Sequence, residues 1–214
     1  MKPIFITDVD GVLLSWQTGL IFFLNDRGLK SDHIIEIIHN ERYMDLSEIF
    51  DEATGLSLSH EERMEYLNDY NNSYYICYLP AYNDAIECVN AMSEDYTFIA
   101  VTALSPTTKA YENRKANLDV LFPNVFNEIV LTGAFDSKYT AFTDIIKSHG
   151  IDNIYGYVDD LEHNLDAFRM AVVDVSQTIK PLMFRMDRCD KGDAKSEDVI
   201  TINSWYEIEA SKWT

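Results

Sequence analysis

A β-branched apolar run, Ile4-Phe5-Ile6-Thr7, breaks at Asp8-Val9-Asp10-Gly11 and resumes as Val12-Leu13-Leu14. No other stretch restricts the fold as much. A short apolar run ended by a turn signal reads as a buried strand of a parallel sheet. Open α/β sheets bind ligands at the carboxyl ends of their strands. Side chains two apart on an extended chain point the same way, so Asp8 and Asp10 can address one ligand. Gly11 lets the backbone approach that ligand or adopt a positive φ. Two neighbouring carboxylates repel, and keeping both ionised requires a cation. Hard oxygen donors suit Mg²⁺. The plain alternative is a strand end that happens to carry two acidic turn residues.

The next sixty residues read as helices. Ser15 to Arg27 is apolar and aromatic and stops at Gly28, a helix C-terminal signal. Ser31 offers an N-cap for a stripe of Ile34, Ile35, Ile37 and Ile38. A shorter helix over 46–53 ends at Gly55, and Ser59-His60-Glu61-Glu62 is a capping box opening a helix to about Tyr75. Residues 16–79 exceed a single crossover and read as an inserted all-helical cap subdomain, leaving 1–15 and 80–214 as the core domain.

From Pro80 the pattern alternates. A helix over 81–94 precedes a buried strand over 96–102, and Ser105-Pro106 reads as a helix start with proline at the first position. A strand at 128–131, a helix capped by Asp136 and closed by Gly150, and a strand at 154–158 ending on Asp159-Asp160 follow. A further helix, strands near 182–184 and 199–202, and a short helix from Ser204 complete the chain, with 187–198 as a surface loop. Strands alternating with helices predict an α/β fold, a doubly wound parallel sheet with right-handed crossovers.

The chain has 214 residues, 47% of them hydrophobic, enough for a substantial core. Its 36 acidic residues against 17 basic ones give a net charge of −19, which disfavours nucleic-acid duplexes and anionic membranes as partners. The same charge repels phosphorylated ligands at long range, so a phosphate site must rely on local cations. Three dispersed cysteines without a Cys-x-x-Cys pair point to free thiols in a reducing compartment. No apolar run reaches membrane-spanning length, and the N-terminus enters a strand without a signal peptide. The expected location is cytoplasmic.

Polar residues recur where strands end: Asp8 and Asp10, then Thr102, then Asp159-Asp160 with Asn164 beyond; Lys138 joins them at a helix start. Singly, these read as a cap, a solvated lysine and a helix-capping acidic pair. Together, in this order on one rim of one sheet, the sequence resembles the haloacid dehalogenase (HAD) superfamily of phosphohydrolases. The resemblance covers residues 1–14 and 80–205, and the helical insertion is similar to that family's cap. It implies a Rossmann-like core and a Mg²⁺-dependent phosphomonoesterase. Asp8 is then the nucleophile that forms an aspartyl-phosphate, and Asp10 the general acid and later base. Mg²⁺ is held by Asp8, the Asp10 carbonyl and Asp160, with Asp159 as a further ligand or behind them. Thr102 and the Ala103 backbone N–H hold the phosphoryl oxygens, and Lys138 supplies a neutralising cation. Asn164 stands where many relatives have aspartate, and Gly11 lies against the site.

Within the superfamily, Asp-x-Asp-Gly-Val-Leu followed by Trp16, and Val158 before Asp-Asp, resemble the 5′(3′)-deoxyribonucleotidases. Arg114 and Phe122-Pro123 ahead of Lys138 are spaced similarly. That likeness implies a small phosphorylated substrate such as a (deoxy)nucleoside monophosphate, its base stacked on cap aromatics: Trp16, Phe22, Phe23, Tyr43 and Phe50 by type. Sugar phosphates or phosphoglycolate, phosphatase or phosphotransferase, are the alternatives within the fold. A two-component receiver domain shares the residue types, but in another order and without a helical insertion. A haloalkanoate dehalogenase would need neither an acid at Asp10 nor metal. An acidic binding protein on the same scaffold is the non-enzymatic alternative.

Overall fold

The computed structural model describes residues 2–28, 58–133, 136–188, 194 and 196–210. Helices expected over 34–38 and 46–53, and the aromatics Tyr43 and Phe50, lie outside them. Six parallel strands form one sheet: β1 (Ile4–Thr7), β2 (Thr97–Ala103), β3 (Phe126–Thr132), β4 (Ile154–Asp159), β5 (Leu182–Met186) and β6 (Ile200–Ile202). Their order is β3-β2-β1-β4-β5-β6. β1 and β4 are therefore central neighbours, and the order reverses beside β1, which is where such sheets open a crevice for a ligand.

Between β1 and β2 come α1 (Trp16–Asp26), α2 (His60–Asn71), a 3₁₀ turn (Tyr74–Tyr78) and α3 (Asn83–Met92). Beyond β2 follow α4 (Thr108–Leu121), α5 (Tyr139–His149), α6 (Glu162–Val175) and α7 (Trp205–Ala210). Strand alternation divides the core into two layers. Ile4, Ile6, Ile99, Val101 and Tyr157 pack against α5 and α6 through Phe142, Ile146 and Phe168. Phe5, Phe98, Ala100 and Val158 face the other way, toward α3, α4, α7 and the inserted helices. Phe5 lies at the middle of that layer, its ring 5.5 Å from Phe98 and 5.8 Å from Trp205.

The chain leaves and re-enters the core side by side. Leu14 bridges Ala81, the Ser15 N–H donates to Pro80 O (2.9 Å), and the Tyr82 N–H donates to Leu13 O (3.0 Å). The inserted helices pack closely: Gly19 sits mid-helix in α1, against the Tyr70 hydroxyl and Leu79, where a Cβ would not fit. That close approach explains a residue otherwise unfavourable inside a helix. Ser59 and Glu62 form the expected capping box, but α2 ends at Asn71 rather than near Tyr75, and the chain tightens into the 3₁₀ turn.

Two helix starts differ from expectation. α4 is capped by Thr107, whose hydroxyl accepts the Ala110 N–H (3.2 Å), not by Ser105. Proline disfavours helical geometry in the residue before it, so Ser105-Pro106 remains in the loop. α5 begins after Lys138, not at Asp136, whose N–H instead donates to Gly133 O (3.0 Å) in a turn. The loop expected from residue 187 is pinned at its start. Asp187 is buried, and Arg188 donates to Val12 O (2.9 Å) and Asp84 (3.1 Å) while stacking on Tyr82. Cys88 is a buried thiol, and Cys77 is a partly buried one whose S–H donates to Asn113 (3.1 Å). Among the described residues, no helix is long and apolar enough to cross a membrane.

Candidate active site

The acidic turn after β1 is held by its own backbone. Asp8 N–H continues the sheet by donating to Val158 O (2.9 Å), and the Leu13 and Leu14 N–H groups both return to Val9 O (2.8 and 2.9 Å). The Gly11 N–H donates to Leu14 O (2.9 Å), with Gly11 at φ +81°. A Cβ on Gly11 would stand 2.8 Å from an Asp160 carboxylate oxygen. Glycine therefore provides the left-handed conformation that the sequence suggests and, beyond it, the space for Asp160.

Lys138 reaches down from the start of α5 into a wholly buried position. Its Nζ donates to Asp8 Oδ1 (2.6 Å) and Asp159 Oδ2 (2.8 Å), with the Tyr157 hydroxyl at 3.4 Å. Tyr157 also donates to Asp159 Oδ2. The other Asp159 oxygen accepts from the Leu161 N–H (2.8 Å) and from Asn164 Nδ2 (3.1 Å). Both Asp159 oxygens thus have donors from the protein. Asp159 fixes Lys138, and Asn164 steadies Asp159.

Asp8, Asp159 and Asp160 place carboxylate oxygens within 4.8 Å of one another, an arrangement able to hold a metal ion. Burial pushes the Asp8 carboxyl well above its ordinary range; Lys138 pulls it down, and Asp159, Asp160 and Asp10 push it up again. Burial alone would lower the Lys138 ammonium, but attraction to Asp159 and Asp8 outweighs it and holds the ammonium above the usual lysine range. Three carboxylates against one ammonium leave two negative charges in a nearly dry site, which a divalent cation would balance.

Asp10 is held separately. Arg114 from α4, fully buried, places Nη2 2.7 and 2.6 Å from the two Asp10 carboxylate oxygens. Thr102 is buried at the end of β2, its hydroxyl 3.4 Å from Asp10 Oδ2, and Ala103 closes the strand beside Thr132. Sequence reading assigned no role to Arg114 or Tyr157. A signal exists for the first: Arg114 lies on the buried stripe of α4 with Ala110, Asn117 and Leu118, where a solvated arginine has no place.

Trp16 opens α1 immediately after the turn. Its indole N–H donates to Asn71 Oδ1 (3.1 Å), its carbonyl accepts the Tyr70 hydroxyl (2.7 Å), and its ring meets Tyr70 edge-on at 5.1 Å. Burial raises the Tyr70 hydroxyl well above its usual range; Asp10 adds to this and Arg114 opposes it, so Tyr70 lies within electrostatic reach of that pair. Phe23 is core, packed against Tyr70 and Tyr75, whereas Phe22 is exposed. Of the expected aromatic candidates, Trp16 alone is half-buried among the described residues.

No protein-family model matches the chain. A curated relative, an uncharacterized 32.4 kDa protein of the Gp30–rIII intergenic region of Enterobacteria phage T4, is 38% identical over 211 residues. The match takes in 98% of this chain and 69% of the relative. Among solved structures, a haloacid dehalogenase-like hydrolase from Streptococcus pneumoniae superposes with a TM-score of 0.62 at 16% identity, covering 99% of this chain and 98% of that one. The HAD-hydrolase YfnB from Bacillus subtilis, a structure bound to magnesium, gives 0.60 at 10% identity over 100% and 99%. An L-2-haloacid dehalogenase gives 0.58 at 12% identity over 99% and 100%. These likenesses establish the HAD-like fold.

Proposed function

Because the chain belongs to the family of the phage T4 32.4 kDa protein and has a HAD-like fold, we propose that it is a Mg²⁺-dependent phosphomonoesterase working through an aspartyl-phosphate on Asp8. The observation that carries this reading is the cluster of Asp8 and Asp159, both buried and paired with Lys138, with the half-buried Asp160 beside them. Its donors are hard oxygens and its two uncompensated negative charges match a divalent cation, so the residues present fit Mg²⁺. Asp8, the Asp10 carbonyl and Asp160 would hold the ion. Asp159 stands behind them, since its oxygens already accept from Lys138, Tyr157, Leu161 and Asn164. When bound, the ion supplies positive charge against the phosphoryl oxygens and offsets the chain's negative field.

The protein's own groups carry the steps. An Asp8 carboxylate oxygen attacks phosphorus while the bond to the leaving oxygen breaks, and the Asp10 carboxyl gives its proton to that oxygen. Asp10, now a carboxylate, takes a proton from water; the resulting nucleophile attacks phosphorus and releases Asp8. Thr102 and the Ala103 N–H orient the phosphoryl oxygens. Lys138 holds Asp8 in line at 2.6 Å. An acid beside the nucleophile and a cation site favour phosphoryl transfer over dehalogenation, which needs neither.

Residues 16–79 would act as the cap over this site, and Trp16 at its entry favours a (deoxy)nucleoside monophosphate as substrate. The test is a Mg²⁺-dependent screen over nucleoside monophosphates, sugar phosphates and phosphoglycolate. A preference for nucleoside monophosphates is expected. Preference for sugar phosphates would overturn the substrate and keep the chemistry, while no turnover of any phosphomonoester would leave an acidic binding protein.

A further inference from the structure

We propose that Arg114 is a positioning residue that aligns Asp10 for proton transfer to the leaving group; this rests on the phosphomonoesterase reading above. The pairing is unusual in geometry. Arginine offers five donors in a planar fork and binds carboxylates best by two parallel bonds. Here one nitrogen, Nη2, takes both Asp10 oxygens, at 2.7 and 2.6 Å. Nε and Nη1 are buried with no hydrogen-bond partner among the described residues. A guanidinium so poorly satisfied is a costly core residue, and a hydrocarbon side chain of similar size would serve packing better. That cost points to what it does for Asp10.

Exposure sets the direction of that action. The Arg114 side chain is 0% exposed and that of Asp10 20%, so Asp10 presents an edge to the site while Arg114 stands behind it. Arg114 cannot reach a substrate and must act through the carboxylate. By holding both carboxylate oxygens, it fixes the carboxyl plane relative to Asp8. Neighbouring residues of α4 hold the arginine in register. Asn113 donates to Ser73 O (2.9 Å) and Asn117 to Leu79 O (3.1 Å), tying this helix to the segment returning from the inserted helices. In the step concerned, the phosphorus–oxygen bond breaks, its electron pair stays on the leaving oxygen, and the Asp10 proton moves there. Arg114 exchanges no proton.

Leaving-group dependence separates this role from a structural one. Dinitrophenolate departs without a proton, whereas an alkoxide requires one. Arg114→Met should lower kcat/KM for an alkyl phosphate monoester by about 100-fold or more, within the range of acid–base contributions. For 2,4-dinitrophenyl phosphate it should lose less than about tenfold, since kcat/KM reports only enzyme phosphorylation. Asp10→Asn should show the same contrast, and Arg114→Met added to it should cost little more. Arg114→Lys, which keeps the charge and loses the fork, should fall between wild type and Arg114→Met. Should Arg114→Met fail to fold, Arg114→Lys carries the same leaving-group contrast. Equal losses on both substrates, or full activity on the alkyl ester, would overturn the role. A wild-type protein inactive on both esters and on every phosphomonoester of the screen above would instead overturn the phosphomonoesterase reading and this role with it.

Discussion

Replacing Gly11 by alanine tests the metal site through one atom. Gly11 has φ +81°, and a side chain in the left-handed region costs about 1–2 kcal/mol. The added Cβ would also lie 2.8 Å from Asp160 Oδ2 and 3.0 Å from its Cγ, so the carboxylate must move by some tenths of an ångström. In a chain of this size 1 kcal/mol lowers Tm by about 2–4 °C, and the expected fall in EDTA is about 2–8 °C. Mg²⁺ at a hundredfold excess over Kd stabilises the wild type by about 2.7 kcal/mol. A displaced Asp160 that weakens binding tenfold removes about 1.4 kcal/mol of that. The assay is thermal unfolding of both proteins with EDTA and across a Mg²⁺ titration. The variant should lose stability in both conditions and more in Mg²⁺. An equal loss in both would mean backbone strain alone and remove Asp160 from the ligand set. No loss in either would refute the whole argument.

Asp8→Asn keeps the shape of the nucleophile without its charge; hydrolysis of an aryl phosphate should fall by several orders of magnitude with the circular-dichroism spectrum unchanged, and undiminished turnover would exclude a covalent role. Lys138→Met leaves Asp8 and Asp159 buried without their cation and should cost about 3–5 kcal/mol in denaturant unfolding. Since attraction to Asp159 and Asp8 overcomes burial and raises the Lys138 ammonium, its contribution is complete below the unfolded value near 10.4 and is lost only as pH rises through the higher native one. The stability difference between wild type and Lys138→Met should therefore stay level from about pH 8 to 10, and a decline within that range would show the lysine deprotonating. Trp16→Ala should lose base stacking of about 1–3 kcal/mol, raising KM for a nucleoside monophosphate with little effect on a small aryl phosphate. Equal losses on both would show that the Asn71 and Tyr70 contacts of Trp16 serve only the fold.

The strand run before Asp8, the alternation after Pro80 and the capping box at Ser59 were legible because each is local: hydrophobic period, turn residues and caps act within a few residues of chain. The sheet then brings Asp8, Thr102 and Asp159 to neighbouring strand ends, because parallel strands share one carboxyl edge. The capping residues of α4 and α5, Thr107 and Lys138 rather than Ser105 and Asp136, are not legible because several hydroxyls or acids compete for one cap, and the choice depends on where the loop leaves the sheet. The pairing of Arg114 with Asp10, 104 residues apart, follows no local rule. It arises when α4 packs against the turn after β1, and the same holds for Lys138 against Asp159; Tyr157 and Asp159, two apart on β4, share a face by strand alternation alone. Sequence by itself determined which residues stand at the strand ends, since backbone periodicity positions them. Only the tertiary structure decided which charges compensate one another, because in a buried site that depends on distances between elements remote in sequence.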